Sequence, residues 1–141
     1  MEENIDNKIT RLEKHRESHI VNKRYSVQRI DLLTVAIGGS CIYYLLNSEP
    51  IPNYQLAIAF CSVAIGLNFL SQWSGYLANV FEVNWTVQEI WKLEKNNKFN
   101  VEKHKCWDNL VSILNPATTI INVLSSTTLI IGVIIIWGNL F

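Results

Sequence analysis

The sequence predicts an all-α membrane protein, with three transmembrane helices, an N-terminal amphipathic helix and a cytoplasmic helical hairpin between the second and third spans. Three observations predict it. Of 141 residues, 49% are hydrophobic, and they gather in blocks rather than spreading along the chain. No Lys, Arg, Asp or Glu occurs in 32–48, 50–81 or 109–141, and each stretch is able to cross ~30 Å of hydrocarbon as a helix. All twelve Lys and Arg residues fall either before the first block or between the second and third.

Residues 1–29 read as a cytoplasmic helix. From Glu3 to Arg29 there is no Gly or Pro, and Ile5, Ile9, Leu12, Ile20 and Val27 recur near a helical period among charged residues. Arg16 and Lys23 interrupt that stripe, which disfavours a coiled coil and favours docking on the rest of the chain or on a sister subunit. Attraction of Lys23, Arg24 and Arg29 to anionic lipid is the alternative. A charged segment this long ahead of the first apolar block does not resemble a signal peptide, so the first span is expected to be retained.

Residues 30–79 hold the first two spans, centred on 30–47 and 54–76. Small residues at close-approach spacing, Ala36 with Ser40 beside Gly38 and Gly39, and Ser62 with Gly66, suit helix packing within or between subunits. The second span has no breaker at its inner end and runs on toward Leu93, so 80–114 reads as a hairpin turning at Asn96-Asn-Lys-Phe-Asn100. Asn115-Pro116 marks a fresh helical start, because Asn caps well and Pro is preorganised at a first helical position. Residues 115–141 are then the third span, crossing at 117–137.

Formal net charge is zero, yet the positive charge is one-sided: seven Lys and Arg precede the first span, and Lys92, Lys95, Lys98, Lys103 and Lys105 follow the second. The short outer turn and the C-terminus carry none. The positive-inside bias therefore predicts a multi-pass inner-membrane protein, N-terminus cytoplasmic and C-terminus outside.

Polar residues inside a span report what the bundle faces. Asn68, Ser71, Gln72, Gly75 and Asn79 recur on the second span, and Asn115, Thr118, Thr119, Asn122, Ser125 and Ser126 on the third. One reading is a water-filled vestibule lined by Asn115, Thr118, Asn122, Ser125 and Ser126. An apolar section at Leu129 and Val133 would close it by dewetting. Three helices enclose no useful pore, so this requires a homo-oligomer. The other reading is hydrogen bonding between packed helices.

The five lysines of the hairpin, interspersed with Asn96, Asn97, Phe99, Asn100 and His104, offer charge and stacking groups to an anionic, nucleotide-like ligand; a solvated positive-inside loop is the simpler account of them and the one the sequence favours. Cys41, Cys61 and Cys106 suggest no disulfide framework. His15 and His19 share a helix face, with His104 and Cys106 as remote candidate partners, but the register is not that of zinc proteases. Solvated histidines are expected there, with no metal site and no cofactor. No nucleophile sits beside a base, so no enzymatic activity is expected.

The stretch Arg29-Ile-Asp-Leu-Leu-Thr-Val-Ala-Ile-Gly-Gly-Ser-Cys-Ile-Tyr-Tyr44, preceded by a charged helix, resembles the small transmembrane effectors of bacterial antiphage defence of the Hailong type. The resemblance covers chiefly the first span and the general layout. It implies an oligomeric channel, partnered with a nucleotidyltransferase, that a nucleotide or oligonucleotide signal opens to depolarise the cell. A membrane-anchored scaffold that recruits a soluble partner is the alternative. A phage holin fits poorly, because the usual three-span holin has the reverse orientation.

Overall fold

The computed structural model describes residues 5–28, 32–47 and 52–138. Four α-helices account for nearly all of them: α1 (Ile5–Gln28), α2 (Leu32–Asn47), α3 (Tyr54–Leu93) and α4 (Val101–Trp137). No strand occurs among the described residues. The expected start of the first span at Ile30 with Asp31, the outer turn at 48–51 and the last residues 139–141 lie outside them, as do the side chains of Lys23, Arg24 and Val27.

Two helices are long and apolar enough to cross a membrane. α3 has 40 residues and α4 has 37, or about 60 and 55 Å of helix, well beyond a ~30 Å hydrocarbon core. No Pro interrupts α3, and nothing near Tyr76 stops it. Contrary to the fresh start expected at Asn115-Pro116, α4 passes through Pro116 unbroken. A proline there forfeits one backbone bond and crowds the carbonyl four residues back.

The chain divides into two compact units. The first comprises Met1–Gln28 and Ser74–Pro116, and so holds α1, the second half of α3 and the start of α4. The half-buried positions on α1 are Lys8, Ile9, Leu12, Arg16, His19 and Ile20, a face at three- and four-residue spacing that mixes aliphatic with basic groups. α3 and α4 meet through aromatic pairs: Phe81 stacks on Trp107 with ring centroids 5.3 Å apart, and Trp85 lies 5.6 Å from His104.

The turn between α3 and α4 is built from backbone bonds and Asn side chains. Lys95 adopts a left-handed conformation, φ 52°, where a Gly is usual. The Asn96 amide reaches the Trp91 carbonyl and the Lys95 amide that of Lys92, the paired bonds of a Schellman motif. Asn96 Oδ1 then accepts from the Lys98 amide, and Asn100 caps α4 by accepting from the Lys103 amide at 3.0 Å. Gln88 Oε1 accepts from the Asn100 amide at 2.9 Å and ties the cap to α3.

The second unit comprises Arg29–Trp73 and Ala117–Phe141. Its seam is a row of small residues on α3: Ala57, Cys61 and Ala64 are fully buried, followed by Asn68 and Ser71. Their spacing of three or four residues places them on one face. Close approach is visible at two glycines. A Cβ on Gly38 would meet the Ile65 side chain at 3.0 Å, and one on Gly132 would meet Cys61 Sγ at 3.0 Å and Phe60 Cβ at 3.3 Å. Leu45, Ala57 and Ile136 close the end nearest the α2 C-terminus, with Cys41, Tyr54, Ile58 and Ile135 packed around them. Ala36, Ser40, Ser62 and Gly66, also candidates for close packing by spacing, are exposed on the single chain.

Candidate functional site

Three groups of residues carry chemistry. In the second unit, the polar residues of α4 divide between two faces. Ser125 is buried and donates to the Ala64 carbonyl at 2.8 Å. Ser71 Oγ donates to Asn122 Oδ1 at 2.7 Å and, more weakly, to the Thr118 carbonyl at 3.3 Å. These bonds bind α4 to the seam of α3. Asn68 is buried beside them, and its Oδ1 has no partner among the described residues.

Thr119, Asn122 and Ser126 are exposed instead. At 100° per residue they span an arc of about 60°, a continuous polar edge on a helix otherwise showing Ile120, Val123, Ile130 and Ile134 to the surroundings. Asn115, at the first unit's end of the same helix, is exposed too. Thr127 and Thr128, off this edge, donate to the Val123 and Leu124 carbonyls one turn back and satisfy themselves. Leu129 and Val133 are half-buried, and Val133 helps line an open apolar cavity of about 250 Å³ with Ser40, Cys41, Tyr44, Ile136 and Trp137. Of the five residues read from the sequence as pore-lining, Asn115, Asn122 and Ser126 are exposed, Thr118 is half-buried and Ser125 is turned into the chain.

No family model, curated protein or solved structure matches this chain.

In the first unit, Lys92, Lys95, Lys98, Lys103 and Lys105 are all exposed. Lys92 Nζ lies 3.4 Å from Glu89, one turn back, and Lys98 Nζ stands 6.0 Å from the Trp91 ring centroid. An exposed pair of this kind contributes little and leaves the lysine available. Glu89 also meets His104, whose Nε2 is 2.9 Å from Glu89 Oε2 without the alignment of a hydrogen bond. His104 thus serves the hairpin, between Glu89, Trp85 and Phe99.

The third group was only half readable from the sequence. His15 Nε2 contacts Glu82 Oε1 at 2.9 Å, across 67 residues of chain. His19 Nδ1 contacts Asn79 Oδ1 at 2.9 Å. The two imidazoles meet edge to face with centroids 4.4 Å apart. Asn79 Nδ2 donates to the Gly75 carbonyl at 2.8 Å, which leaves Oδ1 to face His19 as an acceptor. In the neutral imidazole, His19 Nδ1 is then the donor and Nε2 keeps the lone pair. Neither His104 nor Cys106 joins the pair; Glu82 does. The i, i+4 spacing of the histidines was the visible half of this cluster, and nothing local marks Glu82 as the other half.

Proposed function

We propose that this chain is a homo-oligomeric membrane channel, crossing the bilayer three times with its N-terminus and hairpin in the cytoplasm and its C-terminus outside. The observation that carries the reading is the exposed edge Thr119, Asn122 and Ser126 on an otherwise apolar α4. Polar side chains at membrane depth turn toward protein or water rather than lipid. An edge repeated around a ring of subunits supplies a wetted wall, and Leu129 with Val133 continues it as an apolar, dewetting section. The twelve one-sided Lys and Arg residues support the orientation. α2, 16 residues long, supplies the first span in this reading. The amphipathic α1 docks in the cytoplasm.

The exposed lysines of the hairpin supply the activating contact, accepting an anionic, nucleotide-like ligand. With the resemblance to antiphage effectors, the reading becomes a channel that depolarises the cell when a partner nucleotidyltransferase makes that signal.

A second reading has its own support. Ser71, Asn122 and Ser125 bond within one chain, as they would in a membrane-anchored scaffold whose polar groups only pack helices. Planar-bilayer recording separates the two. For a channel, Asn122→Leu suppresses current by lengthening the dewetted section, and Leu129→Ser raises leak by wetting it. A folded protein that passes no current with a nucleotide or oligonucleotide activator, and in which Leu129→Ser is silent, refutes the channel.

A further inference from the structure

We propose that His15, His19 and Glu82 form a binding site for a borderline divalent transition cation, with Zn2+ the best fit. One ligand atom from each residue lies within 4.8 Å of the other two. Two imidazole nitrogens and one carboxylate oxygen are a donor set suited to Zn2+, which prefers four-coordinate geometry at about 2.0–2.2 Å. The ligand atoms must draw closer than 4.8 Å to share one ion, and His15, nearly half exposed, has room to move toward it. A fourth position is left for water.

The surrounding groups are arranged as metal sites require. Two histidines at i, i+4 project from the same face of α1. Asn79, itself held by the Gly75 carbonyl, accepts the Nδ1 proton of His19 and fixes the tautomer that presents Nε2. Glu82, 14% exposed, supplies negative charge where the ion would sit. His15 now directs an Nε2 proton at Glu82; on binding, that ring proton moves to Nδ1 through solvent, and the cation takes its place between nitrogen and carboxylate. Solvated histidines on a charged helix would need none of this.

Bound there, the cation is a clasp between α1 and the second half of α3, both in the first unit. Docking of the N-terminal helix becomes metal-dependent. The inference stands independently of the channel reading, because it concerns binding and not conduction.

The test uses the tag-free, full-length chain in detergent, titrated calorimetrically with Zn2+ and spectroscopically with Co2+. The expected result is one ion per chain, with the visible absorption of four-coordinate Co2+. His19→Ala and Glu82→Gln should each weaken binding at least tenfold, and His104→Ala and Cys106→Ser should leave it unchanged. Asn79→Ala, a positioning change, should cost roughly tenfold or more at unchanged stoichiometry. Zn2+ should also slow amide exchange across α1 of the wild-type chain at least tenfold, a readout that needs no variant to fold. Absence of stoichiometric binding, binding that survives both His19→Ala and Glu82→Gln, or amide exchange in α1 that ignores Zn2+ would each overturn the proposal.

Discussion

The two units of this chain hold the same two long helices together by different means. In the first, α3 meets α4 through large aromatic rings, a capped turn and side-chain bonds, and meets α1 through the His15–Glu82 and His19–Asn79 pairs. In the second, side chains at the contact shrink to Ala57, Cys61, Ala64 and Gly132, and the polar bonds run from Ser hydroxyls to Asn122 and to backbone carbonyls. Outward faces differ as well. Among the described residues, every large hydrophobic that is exposed belongs to the second unit except Ile5, Val21, Val101 and Ile113. A helix pair in water gains by burying aromatic area. A pair surrounded by lipid gains no hydrophobic energy on contact and depends on close approach and internally satisfied polar groups. The change of chemistry along α3 and α4 is what a helix leaving a bilayer would need.

Breaking the tight seam should have the largest effect. A Cβ at Gly132 already meets Cys61 Sγ at 3.0 Å and the Cys61 backbone nitrogen at 3.5 Å, whereas one at Gly66 meets nothing within 4 Å. Gly132→Leu should push α4 off α3 at a cost of about 1–3 kcal/mol or more, read as loss of thermal stability in detergent. Gly66→Leu should leave the single chain's stability unchanged. If Gly66→Leu instead abolishes an oligomer on size-exclusion chromatography, that open face is an interface between copies; if both variants are equally silent, the seam is not what holds the unit.

The first unit should respond instead to loss of its cap. Asn100→Ala removes the acceptor of the Lys103 amide, and the expected cost is about 1 kcal/mol. Asn100→Asp should retain the bond and most of the stability, and adds a carboxylate favoured at a helix N-terminus. Thermal unfolding followed by circular dichroism distinguishes the two. Equal destabilisation by both would show that Asn100 does not act through its bond to the Lys103 amide, since that bond separates the two variants and the tie from Gln88 to the Asn100 amide is common to them.

Which of these features the sequence discloses depends on how local their cause is. The run of α3 to Leu93 and the turn at Asn96–Asn100 follow from the absence of breakers and a cluster of Asn, signals confined to a few residues. Asn115-Pro116 misleads because a proline's preference for a first turn is a local signal, and here the proline lies inside a helix instead. The buried seam is hidden for another reason. Ala57, Cys61 and Ala64 carry no strong hydropathy signal, and the small residues whose spacing drew attention, Ser62 and Gly66, face outward. Glu82 was beyond reach because its partner lies 67 residues away, and only the packing of α1 on α3 brings a carboxylate to a pair of histidines.

The smallest expected effect decides most about α4, because Asn122 sits where the two readings of the polar residues divide. It is exposed, as a wall of water requires, yet its Oδ1 accepts from Ser71 at 2.7 Å, as helix packing requires. A double-mutant cycle with Ser71→Ala and Asn122→Ala measures the second contribution alone, and interhelical bonds of this kind in membrane proteins average about 0.6 kcal/mol of coupling. A value near that is expected from stability measurements in detergent, because the bond uses one acceptor of an amide that still has its Nδ2 donors and a second lone pair to offer. Those remaining groups are what an aqueous wall would use, so Ser71→Ala should leave current through the oligomer nearly unchanged while Asn122→Ala reduces it. Coupling well above 1 kcal/mol, with current insensitive to Asn122→Ala, would make Asn122 a packing residue and confine the wetted edge to Thr119 and Ser126.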